Sequence, residues 1–157
     1  VNEMQRVTNC ILIKNNHILL MKKPRRGWYA IPGGKMELGE SIKESVIREY
    51  QEETALTLID PELMGSFTFT IHKGKEVIQE WMMFTFVCEK YEGNLIEFCR
   101  EGELEWVPTE KVKYLPMAEG DRKIFQHVLN SSSMLYGSFS YTEDYELINL
   151  RLDPIVN

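Results

Sequence analysis

Three glutamates, Glu49, Glu52 and Glu53, stand at i, i+3 and i+4, a spacing that puts their side chains on one face of a helix. Like charges so placed repel one another and destabilise a helix unless a cation sits among them. Magnesium takes hard oxygen ligands in an octahedron at about 2.0–2.1 Å. A carboxylate triad beside a tight glycine loop, here Gly33-Gly34, offers such ligands and leaves room for water and phosphate. Glu40 and Arg48 lie two turns apart and can brace that loop against the helix. A solvated acidic helix face is the other reading of the same three glutamates.

The elements that must hold these residues follow from periodicity. Thr8–Ile13 and His17–Met21 are β-rich and flank Lys14-Asn15-Asn16, which predicts a hairpin. Lys22-Lys23-Pro24-Arg25-Arg26-Gly27 is a basic loop, closed by Pro32-Gly33-Gly34. Ser41–Thr54 is a predicted helix whose apolar face is Ile42, Val46, Ile47 and Tyr50, with Ser41 and Glu44 spaced as a capping box. Strands are expected over Leu63–His72, Val77–Cys88 and Leu104–Val107. A second amphipathic helix is expected over Glu119–Asn130, then strands over Met134–Tyr141 and Tyr145–Leu152. The order implies an α+β fold with a mixed sheet and helices packed on it.

A chain of 157 residues, 43% of them hydrophobic, suits a single domain over 1–157 with a substantial core. The net charge of −6 argues against a nucleic-acid polymer as partner but not against a small phosphorylated substrate, because a bound divalent cation supplies positive charge locally. No apolar run approaches the length of a membrane span, and Val1–Arg6 is polar and lacks a signal-peptide core. Cys10, Cys88 and Cys99 have no metal-type spacing and read as buried or incidental thiols. Together these features predict a cytoplasmic protein without membrane association.

The segment Gly34 to Leu56 resembles the Nudix box, G-x5-E-x7-R-E-U-x-E-E-x-G-U, where U is a bulky apolar residue. Gly34, Glu40, Arg48, Glu49, Glu52 and Glu53 all match it. Tyr50 stands where an aliphatic residue is usual. Ala55 stands where glycine is usual, at a cost of about 1 kcal/mol if that helix end needs a left-handed residue. From Arg6 to Leu152 the chain resembles the MutT-type hydrolases of oxidised purine nucleoside triphosphates. The resemblance implies the Nudix α/β/α sandwich with a catalytic loop-helix-loop.

It also implies a mechanism: water attacks a phosphorus of a diphosphate while Mg2+, or Mn2+, holds the phosphate oxygens. Glu49, Glu52 and Glu53 would hold the metal, with the backbone carbonyl of Gly33. Glu52 or Glu53 would take the proton, and Arg48 would orient Glu49. A further carboxylate is expected from Arg100–Trp106, with Glu101 and Glu105 the best placed, although either can be a plain surface charge. Lys22, Lys23, Arg25 and Arg26 form a candidate phosphate clamp or a solvated loop.

The same resemblance places Thr8, Phe69, Trp81 and Met83 along a nucleoside cleft, core packing being the alternative for Phe69 and Trp81. It places Met117, Glu119 and Asp121 where the related enzymes read a purine. A helix N-terminal charge is the other reading of Glu119. The expected substrate is an oxidised guanine nucleotide such as 8-oxo-dGTP. A guanosine alarmone, ADP-ribose and a dinucleoside polyphosphate are the alternatives, and a non-catalytic nucleotide sensor is the rival outside enzymology.

Overall fold

Alternation along the first strand sorts its side chains to two faces, and the fold is built around that sorting. The computed structural model describes residues 4–157; Val1-Asn2-Glu3, the start of the stretch read for a signal segment, lies outside them. Strand β1 (Gln5–Lys14) sends Val7, Ile11 and Ile13 into one apolar cluster and Cys10 and Leu12 into another. Strand β2 (His17–Lys22) repeats the pattern, with Ile18 and Leu20 on the first side and Leu19 on the second. The hairpin between them turns through Asn15 and Asn16, both at positive φ, as the favoured two-residue turn requires.

Two short strands come next, β3 (Tyr29–Ala30) and β4 (Gly33–Lys35), followed by helix α1 (Ile42–Thr54) and β5 (Thr57–Ile59). The long antiparallel pair β6 (Glu62–Lys73) and β7 (Glu76–Cys88), a short β8 (Lys90–Glu92) and β9 (Glu103–Pro108) lead to a 3-10 turn, Thr109–Tyr114. Helix α2 (Glu119–Val128), β10 (Leu135–Thr142) and β11 (Leu147–Asp153) complete the chain's elements.

The main sheet runs β11-β10-β6-β7-β1-β2-β3, with β4 also on β1 and β9 on β2. Pairs β1/β7 and β6/β10 are parallel and the rest antiparallel, so the sheet is mixed. Val46 and Tyr50 of α1 pack on the Cys10/Leu12 side, while Ile124 and Phe125 of α2 pack on the Ile11 side. A helix therefore covers each face, which is the α/β/α arrangement. Among the described residues no helix is long and apolar enough to cross a membrane.

Helix α1 carries the capping box: Glu44 N–H donates to Ser41 Oγ at 3.2 Å and Ser41 N–H to Glu44 Oε1 at 2.8 Å. Fully burying a large apolar side chain contributes about 1.5–3 kcal/mol. The repulsion between like charges one turn apart is only about 0.2–0.5 kcal/mol per pair. Burial of Val46 and Tyr50 thus holds the acidic helix in place. The helix ends on Ala55 at φ 67, whose N–H donates to Gln51 O at 2.8 Å; the left-handed position is real and is filled without glycine.

Several expected boundaries shift, the first strand beginning at Gln5 rather than Thr8. Helix α2 stops at Val128 rather than Asn130, whose side chain instead donates to Gln126 O. The last strand begins at Leu147 rather than Tyr145, because Tyr145 takes positive φ in the preceding turn. Strand β10 runs from Leu135 to Thr142, one residue later than expected at each end. Strands β3, β4, β5 and β8 and the 3-10 turn are too short for periodicity to register.

Candidate active site

Arg48 is the clasp of the site. It lies on α1, and its Nε donates to Glu40 Oε2 at 2.6 Å and its Nη2 to Glu40 Oε1 at 2.9 Å, a two-point pair that ties the loop before α1 to the helix. Nη2 also donates to the Lys35 carbonyl at 3.1 Å. Nη1 reaches Glu49 Oε1 at 2.9 Å and Glu52 Oε2 at 3.1 Å. The guanidinium lowers the Glu40 carboxyl to about 2, helped by the Glu37 N–H. Arg48 thus sets the loop and orients two of the acidic side chains.

The glycine pair serves close approach. A Cβ on Gly34 would stand 2.1 Å from Glu49 Oε2, and one on Gly33 would stand 2.0 Å from the Thr8 carbonyl oxygen. The loop can therefore lie against the Glu49 carboxylate and against β1 only with glycine at both positions.

Glu53 is half-buried, accepts from Gly33 N–H at 3.4 Å and lines the same cavity as Glu101. Burial, then the Glu101 carboxyl, push Glu53 up to about 8. A cavity of about 340 Å³ opens over Glu49, Glu52, Glu53 and Glu101, with Ile96, Phe98, Cys99 and Arg100 as its other wall. Glu105 is elsewhere: it is exposed on β9 and accepts from the Tyr29 hydroxyl at 2.9 Å.

Among the described residues no three carboxylate, imidazole or thiol groups are already gathered to hold an ion. The Arg48 guanidinium lies between Glu49 and Glu52. The donor set nevertheless fits a hard divalent cation. It is all oxygen, it is cradled by a glycine that a Cβ would block, and the Glu53 carboxyl is raised by burial and by the neighbouring Glu101 even with Lys23 nearby.

A second cavity, about 460 Å³, meets the first at Glu101. Lys23, Arg25 and Arg26 of the basic loop line it, with Trp28, Tyr29, Ala118, Asp121 and Tyr145. Lys23 Nζ lies 4.0 Å from Glu101 Oε2. Asp121 keeps part of its surface accessible, yet desolvation pushes its carboxyl up to about 7. Trp28 and Tyr145 escaped the sequence reading. Trp28 adjoins the basic loop, which was the available signal, whereas Tyr145 was absorbed into a strand.

Several residues expected at the nucleoside cleft lie elsewhere. Thr8 is fully buried on the α1 side of the sheet with its hydroxyl 2.9 Å from Ser45 Oγ, because it shares the parity of Cys10 and Leu12. Phe69 is 4% exposed inside an aromatic stack with Trp81, Phe139 and Tyr141. Trp81 and Met83 pack on the same core. Met117 is buried and lines a separate cavity between the 3-10 turn and α2. Glu119 is exposed and paired with Arg122 at 3.3 Å. Of that purine-reading group only Asp121 borders the cavity with the basic loop. Cys10 and Cys88 are buried, with the Cys88 thiol against the Ile59 and Lys90 carbonyls, and Cys99 is half-buried.

The model for the NUDIX domain matches residues 4–128. An uncharacterized Nudix hydrolase of Bacillus subtilis, YvcI, is 49% identical over 151 residues, covering 96% of each chain. The crystal structure of a mutator MutT protein from Bacillus halodurans is similar at TM-score 0.95 and 52% identity, covering 97% of this chain and 99% of that one. An ADP-ribose pyrophosphatase of Methanocaldococcus jannaschii is 43% identical over 61 residues, 37% of this chain and 36% of its own. With these matches the chain belongs to the Nudix family of pyrophosphate-bond hydrolases.

Proposed function

We propose that this protein is a magnesium-dependent pyrophosphohydrolase of a guanine nucleoside polyphosphate. The observation that carries the reading is the junction at Glu101 of the carboxylate cavity with a cavity lined by cations, aromatics and Asp121. The first cavity suits a diphosphate, and the second suits a nucleoside with its charged end toward Lys23 and Arg25. The likeness to the ADP-ribose pyrophosphatase covers 37% of this chain, too little to carry that enzyme's substrate to this one.

Glu49, Glu52, Glu53 and the Gly33 carbonyl would hold Mg2+ or Mn2+. The bound ion would neutralise the diphosphate and ease ionisation of the attacking water. Arg48 keeps Glu49 and Glu52 in place. Glu53 gives up its own proton when a cation binds, and Glu52 or the Glu53 carboxylate so formed would then take the water's proton, an effect typically worth about 10²–10⁴ in rate. Lys23 and Arg25 hold phosphate oxygens. Asp121 reads the guanine edge, as acceptor when ionised and as donor when protonated.

The first candidate is an oxidised guanine nucleoside triphosphate such as 8-oxo-dGTP, cut to the monophosphate and pyrophosphate. Guanosine bearing diphosphates at both the 5′ and 3′ positions is the second, favoured by one feature. Lys23, Arg25 and Arg26 stand on the wall of the base-side cavity, where a single phosphate chain engaged at the α1 glutamates leaves cations over.

Turnover of 8-oxo-dGTP, GTP, guanosine tetraphosphate, ATP, ADP-ribose and diadenosine tetraphosphate, with products identified, tests the reading. Faster cleavage of guanine nucleotides is expected. Preference for ADP-ribose or the dinucleotide would overturn it, and absence of phosphoanhydride cleavage across the panel would favour a sensor.

A further inference from the structure

The mouth of the base-side cavity holds an arginine where a flat ring would fit. The Arg26 guanidinium carbon is 5.2 Å from the Trp28 ring centroid and 5.3 Å from the Tyr145 centroid. The two rings are 6.4 Å apart and 79° to each other, so they form a corner, and the guanidinium lies against both faces of it. Arg26 Nη1 is held there by the Asp144 carbonyl at 3.2 Å. Arg26 and Tyr145 both sit at positive φ, 71° and 61°, a region that costs non-glycine residues energy. Arg26 lies in the turn between β2 and β3 and Tyr145 in the turn between β10 and β11, and both line the same cavity.

A guanidinium is planar, delocalised and cationic, and it stacks on aromatic faces much as a purine does. Its place in the corner marks a surface complementary to a nucleobase. The same arginine is the third cation of the loop that also carries Lys23 and Arg25, and all three border this cavity. Tyr145 is 41% exposed, so its ring is available to a ligand without disturbing the core.

We propose that the substrate's nucleobase takes the place of the Arg26 guanidinium in the Trp28–Tyr145 corner, and that the displaced Arg26 moves onto the substrate's phosphates. Trp28 and Tyr145 are then specificity-determining residues for nucleoside over bare polyphosphate, with Asp121 left to distinguish one base from another. Arg26 links the two halves of the substrate, since a phosphate draws it out of the corner and a ring takes the place it leaves. The assignment rests on the nucleotide reading above but not on guanine in particular.

The test compares KM and kcat for GTP and ATP with the inhibition constant of inorganic tripolyphosphate, in Trp28→Ala, Tyr145→Ala, Arg26→Ala and the conservative variants. Stacking lost by alanine substitution is expected to raise KM for both nucleotides about tenfold or more. In the same two variants kcat stays within about threefold and tripolyphosphate inhibition within about twofold. Trp28→Phe and Tyr145→Phe keep KM near the unaltered value, which separates lost stacking from a collapsed loop. Arg26→Ala weakens tripolyphosphate as well as nucleotide, and Arg26→Lys recovers the tripolyphosphate affinity alone.

Unchanged nucleotide KM in Trp28→Ala and Tyr145→Ala would overturn the proposal, as would a parallel loss of nucleotide and tripolyphosphate in those variants. Equal use of GTP and ATP by the unaltered enzyme would defeat the guanine reading and leave the corner intact. If neither nucleotide is cut, the hydrolase reading fails for these substrates. The same fold-changes in their dissociation constants then decide whether the corner binds a base.

Discussion

The Glu101 carboxyl, on the segment leading into β9, lines the same cavity as the Glu53 carboxyl on the last turn of α1. Burial, and then the neighbouring Glu101 carboxyl, push Glu53 up to about 8 in the absence of a cation. The pair also marks the seam between the two cavities.

Glu53→Gln and Glu52→Gln are each expected to lower kcat by at least about 10²-fold with the fold intact. Thermal melts without magnesium should be unchanged or raised in both, because Glu52→Gln removes a charge one turn from Glu49 and Glu53→Gln replaces a half-buried carboxyl already raised to about 8. Near-normal turnover in either variant, measured at saturating magnesium, would remove that residue from the proposed site.

Arg48→Ala is expected to lower kcat by at least about tenfold through loss of position rather than of a reacting group. The Glu40 pair, the Lys35 carbonyl contact and the holds on Glu49 and Glu52 all end at its guanidinium. Arg48→Lys should recover little, since an ammonium cannot make the forked contact. Activity titrated against magnesium reads the effect: the variant should need more metal for half-maximal rate.

Charge removal at Lys23 and Arg25 should raise KM for nucleotides, and more so as the number of phosphates rises. Steady-state kinetics across mono-, di- and triphosphates measure this, and a flat response would make the loop a solvated surface.

Asp121 carries a pH signature. Its carboxyl is raised to about 7 in the folded protein, against about 3.9 for a free aspartate. Below about 4 both states are protonated and nothing is lost. Between about 4 and 7 the unfolded chain has released a proton that the native state keeps, so stability falls as pH rises, and above about 7 the loss is complete. The stability gain of Asp121→Asn should therefore grow from pH 4 to 7 and then level off. In the same variant the preference for guanine over adenine should flatten more than the best rate falls, and kcat/KM ratios report it.

Two departures from the family pattern should respond in stability alone. Ala55 occupies the left-handed position at the end of α1, and Ala55→Gly is expected to stabilise by about 0.5–1 kcal/mol. Tyr50 is fully buried and its hydroxyl has no partner among the described residues. Tyr50→Phe should then raise stability by about 1 kcal/mol, and denaturant melts at fixed magnesium measure both.

The catalytic segment was legible in the sequence because its logic is local. Glu49, Glu52 and Glu53 share a helix face by spacing alone, Ser41 and Glu44 cap that helix within one turn, and Ala55 sits at the end where the chain must turn left-handed. The strands were legible for the same reason, since alternation along β1 and β2 already separates the two cores. The base-side cavity was not, because its walls come from places far apart in the chain that meet only when the sheet twists and α2 packs. Strand parity turns Thr8, with Cys10 and Leu12, toward α1 and Ser45 rather than toward the cavity. Tyr145 entered it because a turn, not a strand, carries that residue, and Glu101 reached Glu53 only through the tertiary path of the segment before β9. Spacing along a chain can specify which side chains share a helix face or a strand face. Which faces meet across a cavity depends on packing between elements, and no local period encodes that.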